Sequence, residues 1–172
     1  MPTPDFILAL REHVGHDLLW LTGVTAIVVD EDGRVLLHQR SDTGEWSLVS
    51  GILEPGEQPA HAVVREAYEE TGVHVAVERI TSVVTDPPAS YPNGDRVQFL
   101  DIAFRCRPVG GEARVNDDES LAVAWFAPDE LPELWPRHRQ RLEHALNGTG
   151  PDAWFDPPPS QVIDRPSLPP AG

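Results

Sequence analysis

The chain has 172 residues, with 13 Lys plus Arg against 28 Asp plus Glu and a formal net charge of −15. That length suits one domain with its own hydrophobic core, and the charge repels nucleic-acid backbone and anionic lipid, which argues against polymer binding and membrane-surface roles. Cys106 is the single cysteine, so an intrachain disulfide and a thiolate zinc site are excluded.

The lone cysteine fits a reducing cytoplasm. The N-terminus shows no basic segment leading into an apolar run, and no apolar stretch approaches bilayer-spanning length. A soluble, unexported cytoplasmic protein is therefore expected.

In chain order, residues 5–13 carry good helix formers after Pro4 and predict a short N-terminal helix ending at Gly15. Two β-rich runs follow, 24–30 and 34–40, separated by Glu31-Asp32-Gly33, the composition of a hairpin. A loop with Trp46 leads to Gly51, and residues 57–71 then repeat apolar positions at helical spacing through Ala60, Val63, Val64 and Ala67. Gly72 stands where a helix C-cap glycine belongs.

Beyond it, 73–85 reads as a strand, 86–95 as a proline-rich loop closing on an Asn-Gly turn, and 96–107 as a strand. Gly110-Gly111 suggests a second hairpin, 121–126 a buried strand, and 128–131 and 135–146 two helices. Composition changes at Gly148, and the prolines of 150–172 favour an extended tail. Trp154 and Phe155 are its possible docking anchors. The chain thus divides into an N-terminal helical extension at 1–20, a main domain at 21–147 and a Pro-rich tail at 148–172.

The chemistry concentrates on the helix after Gly51. Glu66, Glu69 and Glu70 are spaced i, i+3, i+4, so their carboxylates share a face. Each close like-charge pair costs about 0.2–0.5 kcal/mol in water, and a hard cation with a preference for oxygen, Mg²⁺ or Mn²⁺, is the natural partner between them. A solvated acidic face is the plainer reading of three glutamates alone.

The surroundings add to this. Gly51, five residues, Glu57, seven residues, then Arg65-Glu66-Ala67-Tyr68-Glu69-Glu70-Thr71-Gly72-Val73 resembles the Nudix box, matching eight of its nine specified positions. Ala67 departs, where the pattern asks for a larger aliphatic residue. By residue frequencies alone, eight matches would arise in such a chain with a probability on the order of 10⁻⁷.

The resemblance implies an α/β fold, an α/β/α sandwich around a mixed β-sheet, and metal-dependent hydrolysis of a diphosphate linkage in a nucleoside diphosphate derivative. Carried over by position, Glu66, Glu69, Glu70 and the Gly51 carbonyl would ligate Mg²⁺ or Mn²⁺, with Glu57 supporting and Arg65 orienting. The catalytic base would be Glu119, in the acidic stretch before Trp125-Phe126, or Glu69. Such a cation also makes an anionic substrate compatible with the net charge.

Substrate contacts are sought at Arg40, which ends a strand just before the box and can pair an anionic group bidentately; at Trp46, as a base-stacking or core residue; and at Tyr91. Val49-Ser50 replaces the Pro-Gly that commonly precedes the box glycine in relatives, which alters the entrance. His38, His61 and His74 show no metal-ligand spacing and read as ordinary. Pro87, Pro88 and Tyr91 resemble tags of two substrate subclasses at once, so nucleoside triphosphates, ADP-ribose, nucleotide sugars and dinucleoside polyphosphates all stay open. The rival function is a nucleotide-sensing module that binds without hydrolysis. Family habit and the apolar residues Phe6, Ile7 and Leu10 also suggest a homodimer.

Overall fold

A computed structural model describes residues 3–91, 93–148 and 152–155. In chain order they form α1 (Asp5–Val14), β1 (Leu19–Val28), β2 (Val35–Arg40), β3 (Trp46–Ser47), β4 (Val49–Ile52), α2 (Pro59–Thr71), β5 (Val73–Thr85), β6 (Ala89–Ser90), β7 (Arg96–Gly111), β8 (Ser120–Phe126), α3 (Pro136–Asn147) and β9 (Trp154–Phe155).

Two sheets result. The larger runs β4-β1-β7-β5-β9, with β6 pairing β7, and the smaller runs β3-β2-β8. The large sheet is mixed, because β1 lies parallel to β7 and β9 parallel to β5 while the other pairs are antiparallel.

β1 shows why helices lie on both faces. Successive strand residues point to opposite sides, and from Val24 to Val28 all five are sealed from solvent. Val24, Ala26 and Val28 pack in one cluster with Ala62, Val63 and Ala67 of α2, whereas Ile27 packs in another with Leu142 and Ala145 of α3. The sandwich expected from the resemblance is what the chain forms. Ala67, fully buried in the first cluster, suffices there without a longer side chain.

Four sequence expectations need correction. Glu31-Asp32-Gly33 does form a turn, with Gly33 at φ 79° and the Asp30 carboxylate accepting from the Asp32 and Arg34 amides. The strands it joins separate into different sheets, however, and only Val29 and Val35 bridge. The doubly buried β1 takes β4 and β7 as neighbours, leaving β2 to β3 and β8. At Gly110-Gly111 there is no hairpin turn; β7 continues through both, opposite His74 and Val73. β8 is not a buried strand, because as an edge strand it leaves Leu121 58% exposed. Residues 128–131 form no helix, since Pro132 follows and restricts the residue before it to extended backbone.

The ends are tied to the body. Ile7 of α1 packs on Leu21 and Val97, and Arg11 and His16 both reach Asp95, at 3.1 and 2.9 Å. In the tail, Trp154 pairs with Ser82 along the edge of β5 and stacks on His144 at 4.4 Å. The remaining tail residues, 149–151 and 156–172, fall outside the described residues. No helix among those described is long and apolar enough to cross a membrane.

Candidate active site

α2 begins with Pro59 at its first turn and stops where Gly72 turns left-handed at φ 70°. One side of this helix carries Ala62, Val63 and Ala67 into the core, and the same burial takes Glu66 and Glu70 with it, at 1% and 2% exposure. Glu69, a third of a turn away, keeps half of its side chain in solvent. The three glutamates therefore divide into a buried pair and an exposed third.

Arg65 joins the helix to the loop before it. Its guanidinium donates to both oxygens of Glu57, each at 3.0 Å, to Glu66 Oε1 at 2.8 Å and to Glu69 Oε2 at 3.0 Å, and it also reaches the Ile52 carbonyl at 3.4 Å. This fork needs arginine, because a lysine ammonium cannot serve a bidentate carboxylate and two further acceptors in one plane. Held by it, Glu57 sits below the usual carboxylate range. Glu57 and Arg65 are thus brought together with Glu66 and Glu69 in one hydrogen-bonded group.

Gly51 lies in β4 opposite Val24. A side chain there would collide with the Glu66 carboxylate, so the glycine is what lets the buried acid lie against the strand backbone. Before it, Val49 and Ser50 simply continue β4 opposite Ala26 and Thr25, which is how the chain accommodates the unusual lead-in.

Electrostatics separate these acids. Burial pushes Glu66 up to about 7, with Arg65 pulling the other way and the charges of Glu69 and Glu119 adding to the rise. Glu70 too is raised well above the usual range, by burial and then by the charges of Glu66, Glu119 and Asp117. Two like-charged acids, nearly dry, thus face a third from another part of the chain. Strongly perturbed carboxylates gathered in one place make this cluster a candidate functional site.

Glu119 arrives by a tether. The Arg114 amide donates to the Thr71 carbonyl and the Asn116 side chain to the Tyr68 carbonyl, which fastens the segment after β7 to the end of α2. Further along, the Ser41 amide donates to the Glu119 carbonyl at 2.7 Å. Glu119 is half-buried and close enough for its charge to act on both buried glutamates.

The sought substrate contacts fare differently. Arg40 pairs bidentately with Asp42, at 2.8 and 2.7 Å, and also feels the charges of Glu70 and Tyr91. Trp46 is partly buried: it packs edge-on against Phe126 at 4.8 Å, against the core cluster on the α3 side, and also lines a surface cavity with Leu134 and Trp135. Tyr91 is 46% exposed at the turn between β6 and β7.

Two features escaped the sequence. His38 is wholly buried, with Nε2 3.4 Å from Glu70 Oε2 and Nδ1 3.0 Å from Ser120 Oγ; burial, then Arg40, lowers its pKa to about 4. The sole hint was a polar residue inside the run Val35-Leu36-Leu37-His38. The second is a buried link in which Arg141 of α3 meets Asp101 at 2.7 Å and Asp86 at 2.9 Å, with Thr25 donating to Asp101. Nothing in local spacing relates those four positions.

A glycine against a buried glutamate, an arginine bridging loop to helix, and a helix closing on a left-handed glycine are the box pattern realised in three dimensions. Compared with known families, residues 20–145 match the NUDIX domain. The chain belongs to the Nudix family. It is accordingly a hydrolase of the pyrophosphohydrolase kind.

Among Nudix relatives, a MutT-like protein of Streptomyces ambofaciens is 43% identical over 129 residues, covering 74% of this chain and 78% of its own. A human 8-oxo-dGDP phosphatase is 33% identical over 141 residues, 72% of this chain, although the match spans only 41% of the human protein. Among solved structures, an ADP-ribose pyrophosphatase of Streptococcus suis superposes with a TM-score of 0.64 at 28% identity, covering 79% of this chain and 98% of that one.

Proposed function

We propose that this Nudix enzyme uses a divalent cation, Mg²⁺ or Mn²⁺, to hydrolyse the diphosphate linkage of a small nucleoside diphosphate derivative. The observation that carries the reading is the burial of Glu66 and Glu70 one turn apart, because Glu70 Oε2 is sealed from solvent without an aligned hydrogen bond to any described group. A buried carboxylate is costly unless paired. Hard, oxygen-only donors suit Mg²⁺ or Mn²⁺.

The fit is one of donor chemistry rather than a finished cage. Among the described residues no three His, Cys, Asp or Glu side chains converge closely enough to form a ready metal cluster, since Glu69 is drawn to Arg65. Glu66 and Glu70 would form the heart of the site, with Glu69 and the Gly51 carbonyl completing it. A bound divalent cation supplies neutralisation of the diphosphate oxygens and an activated water.

The chain's own residues do the rest. Arg65 fixes the plane of Glu66 and the loop carrying Glu57. Glu119 takes the proton from the attacking water, being the acid whose charge reaches the buried pair from outside α2. Arg40 and Tyr91 meet the far part of the substrate. The names of the human relative and the streptococcal structure make oxidised purine nucleotides and ADP-ribose the first substrates to try.

The test is product release from a panel containing these two classes, nucleotide sugars and dinucleoside polyphosphates, with Mg²⁺ or Mn²⁺ and with chelator, beside a Glu69→Gln control. Cation-dependent turnover that falls in the control supports the proposal. Binding without turnover across the panel would instead make the domain a nucleotide sensor.

A further inference from the structure

Apart from the acids themselves, the deepest polar side chain at the site is His38. It follows three fully buried aliphatic residues on β2 and is itself 1% exposed. An imidazole costs more to bury than an aliphatic side chain of similar size, so its partners should explain its place. On one side, Nδ1 lies 3.0 Å from Ser120 Oγ on the neighbouring strand β8. On the other, Nε2 lies 3.4 Å from Glu70 Oε2, an ion-pair contact rather than an aligned hydrogen bond, and neither of those two buried atoms has a hydrogen-bond partner among the described residues.

We propose that His38 is a positioning residue for Glu70: its Nε2–H holds Oε2 and so sets the plane in which the carboxylate meets a cation. The inference rests on the cation reading above. For an ionised Glu70 the proton must sit on Nε2; Nδ1 is then an acceptor, and the single proton of the Ser120 hydroxyl serves it in place of the Glu70 carbonyl. The same hydroxyl lies 3.3 Å from the Glu70 carbonyl, so β8 touches both the imidazole and the helix turn that it orients. Donors of this kind, one bond removed from the ion, are worth roughly 10–100-fold in metal affinity.

The experiment is calorimetric titration of the full chain with Mn²⁺ alone, at one fixed pH, for the wild type and for His38→Leu, His38→Gln and Ser120→Ala. His38→Leu, similar in volume but without a donor, is expected to weaken Mn²⁺ by about 10–100-fold, and His38→Gln, which keeps an N–H, to recover most of that loss. Ser120→Ala should fall between them. In turnover the deficit appears in kcat at saturating substrate and limiting Mn²⁺, with KM for the nucleotide unchanged.

Equal losses in the Leu and Gln variants would make position 38 a packing residue and overturn the proposal. Wild-type affinity in His38→Leu would do the same, and should that variant not fold, wild-type affinity in Ser120→Ala would do so in its place. A wild type that binds no Mn²⁺ would overturn the cation reading itself and this inference with it.

Discussion

The carboxylate of Glu66 fills the space that any side chain at position 51 would need. Gly51 is not required for its backbone angles, because its φ lies outside the left-handed range; it is required for contact. Gly51→Ala should therefore displace Glu66, destabilise the fold by about 1–3 kcal/mol as an overpacking change, and lower turnover at least tenfold. Gly23→Ala is the matched control, since a side chain there meets only ordinary contacts at 3.5 Å. Urea unfolding and steady-state rates on both variants check the difference.

Arg65 serves three carboxylates at once. Arg65→Lys keeps the charge and loses the fork, so the loop carrying Glu57 and the plane of Glu66 are no longer fixed together. The expected result is a drop in kcat on the order of 10²-fold, the scale attached to a small misplacement of reacting groups. A rate within twofold of wild type would show that charge alone matters at 65.

Burial raises Glu66 to about 7 from its ordinary 4.5. The folded chain then binds this proton more tightly than the unfolded chain, so its ionisation lowers stability as pH rises between those two values. Buried His38 and His138 are shifted downward and act in the opposite sense, so the comparison must cancel them. In chelator, the stability of Glu66→Gln relative to wild type should grow by about 1–3 kcal/mol from pH 5 to pH 8, and added Mg²⁺ should shrink that gap at pH 8. Denaturant curves at the two pH values read it directly.

Glu119 and Glu69 compete as the base. Glu119→Gln should lower kcat by about 10²–10⁴-fold, the range of a lost general base, with little change in Mn²⁺ affinity. Glu69→Gln should mainly weaken Mn²⁺, and as a half-exposed change it should alter stability by less than about 0.5 kcal/mol. The reverse pattern would transfer the base to Glu69.

The box was legible because its parts are local: Gly51, Glu57, Arg65 and the three glutamates lie on one short strand, the loop after it and one helix, so spacing alone aligns them. What spacing could not show is which glutamate is dry. That depends on β4 and β2 packing beneath α2, and it makes Glu66 and Glu70 a pair while Glu69 stays outside. His38 and Ser120 meet Glu70 from residues 32 and 50 positions away in sequence, across a sheet whose existence the Asp-Gly turn concealed by suggesting a hairpin. The tail misled in another way, since proline content described its composition but not the pairing of Trp154 with β5.

The most direct test of the central claim is the initial rate on the best substrate of the panel against free Mg²⁺, for the wild type and Glu70→Gln. The account predicts no turnover in chelator, a saturable rise with Mg²⁺ in the wild type, and a rise in Glu70→Gln that is both lower and shifted to higher Mg²⁺. Turnover that persists in chelator, or an identical Mg²⁺ response in Glu70→Gln, would contradict it.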